Sequence, residues 1–95
     1  MTEINALHAK IEGRVQGVGF RYFVLDKANS LGLTGWVRNT YDEKVEVWAE
    51  GNRESLETLL NFLRRGPRSA FVSDLKQSWE EPSGKYQRFS VLPTV

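Results

Sequence analysis

Residues 6–32 read ALHAKIEGRVQGVGFRYFVLDKANSLG, and their hydrophobic periodicity changes once along the stretch. Residues 6–14 alternate between apolar and polar side chains, which is typical of a half-buried strand. From residue 20 onward the apolar positions follow helical spacing and form one stripe, made of Phe20, Phe23, Val24, Ala28 and Leu31. The stretch therefore predicts a strand, a glycine-rich connection and a helix that ends at Gly32.

The remainder of the chain predicts four more strands and a second helix. Residues 34–40 and 44–50 are separated by a short polar link, which indicates a hairpin. Asn52 is suited to be the N-cap of the second helix. The apolar stripe of that helix consists of Leu56, Leu59, Leu60 and Leu63. Residues 72–80 and 86–92 alternate more weakly and predict two further strands, the second of them at a sheet edge because Pro93 cannot donate to a ladder.

This element order predicts the α+β fold class. Strand, helix, two strands, helix and strand make a ferredoxin-like β-α-β-β-α-β sandwich, with two helices packed on one face of a mostly antiparallel sheet. One extra strand follows at the C-terminal end of this order. Because the chain has 95 residues, we expect a single domain over residues 1–95.

Composition excludes several classes of function. The chain has no cysteine and one histidine, which excludes disulfides and thiolate zinc sites and leaves little for a transition-metal site. The formal net charge of +1 creates no overall field that would attract nucleic acid or an anionic membrane. No apolar run approaches membrane-spanning length, and the N-terminal stretch lacks the pattern of a secretory signal. We therefore expect a cytoplasmic protein with no metal, cofactor, nucleic-acid partner or membrane partner. Separately from the composition, we expect it to act as a free-standing monomer.

The connection GRVQGVGFR, residues 13–21, combines three glycines with one arginine. The first N–H groups of a helix lack internal partners and carry partial positive charge, and a glycine-rich loop lets several of them turn toward one anion. Arg21 falls in the first helical turn, where its charge opposes the helix dipole at a cost of about 0.3–1 kcal/mol. A phosphate bound between these positive groups would remove that conflict. Composition alone leaves open a flexible turn with a solvated arginine.

The loop matches none of the common nucleotide-binding motifs and matches an RNA-binding motif only loosely. A Walker loop needs Gly-Lys-Ser/Thr, which is absent, and a dinucleotide fingerprint needs glycine at the position of Tyr22. Residues 16–23 loosely match the aromatic signature of RNA-binding RRM domains, but that signature belongs on a strand and here precedes a helix. A non-catalytic anion-binding module and an RNA-binding module therefore stay open beside an enzyme.

Two motifs resemble those of the acylphosphatase family. GRVQGVGFR, residues 13–21, is similar to the family's signature loop, and GWVRN, residues 35–39, is similar to its second motif. Val45 and Gly51 stand at the expected later spacing, and the element order agrees over essentially the whole chain. Glu43 departs from the family pattern, which has glycine at that position of the hairpin turn.

The resemblance implies hydrolysis of acyl phosphates to a carboxylate and inorganic phosphate, without a metal or a phosphoenzyme. It implies that Asn39 orients the attacking water and that the phosphate is held by Arg21 and the loop of residues 14–20. The loop residues expected to bind phosphate are Val15, Gln16, Gly17, Val18, Gly19 and Phe20. The chemistry agrees, because phosphoryl transfer depends on positioning and charge stabilisation, and a neutral amide holds water without repelling the phosphate.

Other conspicuous residues are interpreted as structural. His8 lies on the polar side of the first strand and is expected to be solvated rather than catalytic. Trp36, Trp48 and Trp79 share no common spacing, which favours packing or a place on the sheet face over a row that stacks on a ligand. Residues 64–65 are arginines in the last turn of the second helix, where they compensate its dipole.

Overall fold

A computed structural model describes residues 3–95 of the chain. The elements in chain order are β1 (Ile4–Arg14), α1 (Phe20–Ser30), β2 (Thr34–Asn39), β3 (Val45–Asn52), α2 (Arg53–Arg65), β4 (Phe71–Glu80) and β5 (Phe89–Val91). The predicted domain of residues 1–95 includes Met1 and Thr2, which lie outside the described residues. Neither α1 nor α2 is long and apolar enough to cross a membrane.

The five strands form one sheet in the order β4-β1-β3-β2-β5. β1 pairs antiparallel with β3 and β4, and β2 pairs antiparallel with β3. β5 lies parallel to β2 and forms the edge opposite β4. This arrangement confirms the ferredoxin-like α+β fold and the edge position of the last strand. Because β1 and β2 run in the same direction, both end at one margin of the sheet, which we call the loop margin.

Both helices contribute to one core on a single face of the sheet. Alternate side chains of β1 and β3 are fully buried there: Leu7, Ala9, Ile11, Val45, Val47 and Ala49. The helical stripes meet them with Phe20, Val24, Ala28, Leu56, Leu59, Leu60 and Leu63. Phe23 and Leu31 pack at the border of the same cluster. The side chains that alternate along the strands thus form one side of this core, and the apolar stripes of the helices form the other.

The N-termini of the two helices are built differently. Asn52 caps α2, because its Oδ1 accepts a hydrogen bond of 2.8 Å from the backbone N–H of Ser55. α1 instead begins after Gly19, which has left-handed backbone angles and offers no side-chain cap. The first N–H groups of α1 are consequently left without the partner that a capping side chain supplies.

Gly13 belongs to β1 rather than to the flexible connection. The register of β1 against β4 shifts between Glu12 and Gly13, which marks a bulge. Gly13 has φ +125°, and a Cβ at this position would lie 2.2 Å from the carbonyl oxygen of Phe71. Close backbone approach therefore requires this glycine, which confirms its place in the predicted strand of residues 6–14 and leaves Gly17 and Gly19 as the two glycines of the connection. The connection that can serve a ligand is the shorter segment of residues 15–19.

Candidate functional site

Residues 15–19 join β1 to α1 and contain two glycines in the left-handed region. Gly17 has φ +73° and Gly19 has φ +79°, whereas Val18 between them has no positive φ. Such alternation turns successive backbone N–H groups toward one side. Among the described residues, the N–H groups of residues 16–20 have no hydrogen-bond acceptor. The loop therefore offers a row of free donors at the N-terminus of a helix.

The ends of this loop are anchored in the core by their side chains. Val15 and Phe20 are each 1% exposed, and Val18 packs against the same core. Val15 and Phe20 can therefore reach a ligand only through their backbone. A Cβ added at Gly17 or Gly19 would meet no atom within 4 Å, so the space beside both glycines is open.

Arg21 lies in the first turn of α1, directly after the loop. This turn contains no acidic residue, and the Arg21 side chain is partly exposed. Within residues 3–95 the guanidinium has no hydrogen-bond or ion-pair partner. The predicted conflict between this charge and the helix dipole is therefore present and is not relieved by a nearby carboxylate.

Asn39 is the last residue of β2 and points to the helix-covered face, like Val37 two residues earlier. The residue is only 9% exposed, yet its Oδ1 is buried with no hydrogen-bond partner, and its Nδ2 has no acceptor among the described residues. Its backbone is held on both sides, by pairing with Val45 in β3 and by a 3.2 Å hydrogen bond from the N–H of Val95 to its carbonyl oxygen. The strand end is fixed while the side-chain amide stays unengaged.

Gln16 connects the loop to the end of β2. Its Nε2 donates hydrogen bonds of 2.8 Å to the carbonyl oxygen of Thr40 and 2.9 Å to that of Lys44. Thr40 follows Asn39 directly, so these bonds bring the loop and Asn39 to the same place on the loop margin. Sequence reasoning gave Gln16 only a place in the loop, because no spacing rule links it to carbonyl groups 24 and 28 residues away.

The β2–β3 turn holds Glu43 in a conformation that favours glycine, the residue that the family has at this position. Glu43 has φ +68° and is the one residue other than glycine with positive φ in the described part of the chain. The turn is closed by a 3.1 Å hydrogen bond from the Glu43 N–H to the Thr40 carbonyl oxygen. The Thr40 hydroxyl donates to Asp42, and this bond with the nearby Lys44 charge holds the pKa of Asp42 below its ordinary range.

The sheet face that the helices leave open carries a polar and aromatic network. His8 is not simply solvated, because its Nε2 lies 2.6 Å from Glu46, which also accepts 2.9 Å hydrogen bonds from Arg38. Burial alone would raise the pKa of Glu46, but the hydrogen bonds from His8 and Arg38 outweigh it and lower that pKa. Trp36 and Trp48 face each other across β2 and β3, which confirms a place on the sheet face.

Two surface grooves lie outside the segment of residues 15–19. One is lined by Asn5, Asn52, Arg53 and their neighbours at the opposite margin, and the other lies beside Arg64 at the loop-margin end of β4 and contains neither Arg21 nor Asn39. Within residues 3–95, no group of three or more acidic or histidine side chains is arranged to hold a metal ion.

Comparison with known proteins identifies what this arrangement resembles. Residues 7–91 match the family model described as Acylphosphatase. An acylphosphatase of Caldanaerobacter subterraneus is 47% identical over 85 residues, which cover 90% of this chain and 94% of that protein. An acylphosphatase structure from Coxiella burnetii is 38% identical with a TM-score of 0.89, covering 94% of this chain and 93% of that one. The Bacillus subtilis acylphosphatase structure is 34% identical with a TM-score of 0.89, covering 95% and 99%.

Proposed function

Since the chain belongs to the acylphosphatase family, we propose how it hydrolyses acyl phosphates: residues 15–20 and Arg21 hold the phosphate, and Asn39 holds the attacking water. The reaction yields a carboxylate and inorganic phosphate. The relatives are enzymes, which favours hydrolysis over the non-catalytic anion-binding module and over the RNA-binding module. Three features of the loop margin support the assignment of roles.

The phosphate-binding role rests on donors that the fold leaves unused. The N–H groups of residues 16–20 have no acceptor in the described chain, and they stand at the positive end of α1. Arg21 adds a guanidinium that can donate two parallel hydrogen bonds to phosphate oxygens. Charge on the equatorial oxygens grows toward the transition state, so fixed donors stabilise that state more than the ground state.

The observation that carries the proposal is the unengaged amide of Asn39. A buried polar atom without a partner costs roughly 1–3 kcal/mol, and native proteins retain few of them. Because neither end of the amide is bonded within residues 3–95, a rotation about its terminal torsion costs no hydrogen bond. The amide oxygen can then accept one proton of a water and leave the water's lone pair directed at phosphorus.

The chemical step needs little more than this positioning. The water oxygen forms a bond to phosphorus as the bond from phosphorus to the carboxylate oxygen breaks, and the carboxylate departs with the electron pair. Its conjugate acid has a pKa of about 4, so it leaves without a general acid. The proton lost by the water passes to the phosphate product or to solvent. A carboxylate base at position 39 would repel the phosphate, whereas the amide of Asn39 does not.

The test compares binding with turnover in four variants. Arg21→Ala should weaken inhibition by inorganic phosphate and lower kcat, and Arg21→Lys should recover little because lysine lacks the two-pronged geometry. Asn39→Ala should lower kcat by about 10²–10³-fold while phosphate inhibition changes little, since the water contact is made in the transition state. Asn39→Asp should be no better than Asn39→Ala. Arg88→Lys is the matched control, because Arg88 is an exposed arginine that precedes β5 at the opposite margin of the sheet.

Two results would overturn the assignment. A near-normal kcat for Asn39→Ala would remove the water-holding role. An unchanged inhibition constant for phosphate in Arg21→Ala would remove the phosphate-holding role of the guanidinium. Either result leaves acyl-phosphate hydrolysis in place and requires different residues to perform it.

We propose further that this chain acts as a monomer in the cytoplasm on small-molecule acyl phosphates, without nucleic acid or a membrane. The open sheet face argues against stacking on nucleic-acid bases, because its tryptophans are already engaged: Trp36 donates to the Tyr86 hydroxyl at 3.0 Å and Trp48 donates to Glu50 at 2.6 Å. The carboxylates of Glu46 and Glu50 on that face are bonded as well, Glu46 to Arg38 and Glu50 to Trp48 and Ser83. Binding of single-stranded RNA in a titration, or a dimer in size-exclusion chromatography, would contradict this.

A further inference from the structure

We infer that Gln16 is a positioning residue for catalysis: its side-chain amide sets the place of the phosphate loop relative to Asn39. This role differs from contact with the phosphate, which is proposed for the Gln16 backbone. The inference rests on the proposed roles of the loop and Asn39, and the experiment below separates its failure from theirs.

Both donors of the amide are used on one segment. A primary amide has two N–H donors, and Gln16 gives them to the carbonyl oxygens of Thr40 and Lys44 at 2.8 and 2.9 Å. These two carbonyls lie at the two ends of the β2–β3 turn, one next to Asn39 and the other next to its cross-strand partner Val45. The Gln16 side chain is therefore bonded to both ends of the turn, beside β2 and beside β3.

Within the described chain, no other hydrogen bond joins residues 15–19 to the β2–β3 turn. Residues 15–19 make no further hydrogen bond to β2, to β3 or to the turn between them. Val15 and Phe20 anchor the loop ends in the core, but Gly17 and Gly19 between them are exposed and stand in open space. Apolar packing of Val15, Val18 and Phe20 leaves the two glycines of the loop freedom to shift, and the amide of Gln16 reduces that freedom on the side of Asn39.

In-line attack depends on the distance between the bound phosphate and the attacking water. Reacting atoms must stand about 3–3.5 Å apart in line, and a misplacement of about 1 Å can cost roughly 10²-fold in rate. The phosphate and the water are proposed to be held by two different segments, the loop with α1 and the end of β2. Because the Asn39 backbone is held by β3 and Val95, the loop is the segment whose placement needs support.

The residue type fits the role. A glutamate carboxylate has the same shape but only accepts hydrogen bonds, so it would face two carbonyl oxygens with no donor. Methionine has a similar length and no strong donor at all. Gln16→Met therefore removes both hydrogen bonds with little change in volume. Gln87→Met is the matched control, since Gln87 is exposed and its side chain makes no hydrogen bond within residues 3–95.

The experiment measures kcat and phosphate inhibition at a temperature well below each variant's melting temperature. Gln16→Met should lower kcat by about 10–100-fold, while the inhibition constant for inorganic phosphate changes by less than about threefold. Gln87→Met should match the wild type. If Gln16→Met only lowers the melting temperature and keeps kcat within about twofold, the side chain is merely structural and the inference is wrong.

A double variant adds a readout that a structural role would not move. If Gln16 acts by placing the loop relative to Asn39, adding Gln16→Met to Asn39→Ala should reduce kcat by no more than about threefold further. Multiplied losses would show two independent roles and overturn the inference. A near-normal kcat for Asn39→Ala alone would instead defeat the proposed role of Asn39, so the two failures are distinguishable.

A second substitution keeps the test decisive if Gln16→Met does not fold. Gln16→Glu should lose activity at pH 7, where the carboxylate cannot donate. Protonation restores one O–H donor, so kcat relative to wild type at the same pH should rise as the pH falls toward about 4.5, near the ordinary glutamate pKa. A ratio that stays flat with pH would count against the positioning role.

Discussion

Replacing Asn39 with alanine should remove activity and at the same time leave the fold at least as stable. The activity loss is expected at about 10²–10³-fold in kcat, as for other single groups that act on the transition state. Most buried polar side chains stabilise the protein through their hydrogen bonds, so replacing one of them at an active site lowers the stability together with the activity. Asn39 differs because its buried Oδ1 has no partner.

The size of the stability change follows from that oxygen. Because no protein group bonds that oxygen within residues 3–95, alanine at position 39 loses no intramolecular hydrogen bond and removes a buried polar atom whose desolvation costs roughly 1–3 kcal/mol. A net gain of about 1 kcal/mol corresponds to a rise of roughly 4–8 °C in melting temperature for a domain of this size. Asn52→Ala provides the opposite control: it removes the α2 cap at the far margin of the sheet and should cost about 0.5–2 kcal/mol with kcat unchanged.

The assay pairs thermal unfolding with steady-state hydrolysis of an acyl phosphate on the same preparations, in buffer free of phosphate and sulfate. Asn39→Ala is expected to unfold at or above the wild-type temperature and to turn over slowly. A drop of several degrees would mean that the amide is bonded in the folded protein, and the reasoning from its unpaired oxygen would fail.

Four further outcomes are expected. Glu43→Gly should raise the melting temperature by several degrees, because φ +68° costs a residue other than glycine about 1–2 kcal/mol, and activity should persist; a fall would show that the turn is not strained. Gly13→Ala should destabilise strongly, since its Cβ would meet the Phe71 carbonyl oxygen at 2.2 Å, whereas Gly17→Ala should cost about 1–2 kcal/mol and act mainly on activity; similar unfolding free energies for both would contradict this. Glu46→Gln should lower stability at pH 7, and its difference from wild type should shrink below about pH 4.5, because a carboxylate with a lowered pKa loses its contribution as it becomes protonated; a difference independent of pH would refute the ion network. Hydrolysis should survive dialysis against EDTA, and restoration of lost activity by Mg²⁺ would refute a metal-free site.

The fold was predictable because the first three strands and both helices have a clear hydrophobic period or a clear capping or stop residue. The alternation in β1 and β3, the stripe that starts at Phe20 and the Asn52 cap are all local signals, and local signals decide element type and order. The parallel pairing of β5 with β2 was not predicted, because strand pairing between distant segments depends on tertiary packing.

The site was predictable only as a set of positions. Glycine and arginine types indicated an anion loop, the family resemblance implied a water-holding Asn39, and the loop and Asn39 do lie on one margin. Sequence could not show that Gly13 serves a bulge, because its neighbour Phe71 is 58 positions away in the chain. It could not show the partners of Gln16 or of His8 for the same reason: each bond joins segments that only the folded sheet brings together.

Because the N–H groups of residues 16–20 are unpaired, the stability of this chain should depend on the anions present in its buffer. Any anion that binds the folded loop and not the unfolded chain adds RT ln(1 + [L]/Kd), about 2.7 kcal/mol at a hundredfold excess over Kd. Phosphate or sulfate buffer should therefore raise the unfolding temperature well above its value in chloride. The difference between the two buffers is itself a binding measurement: it gives the affinity of the loop for the anion without any substrate being turned over.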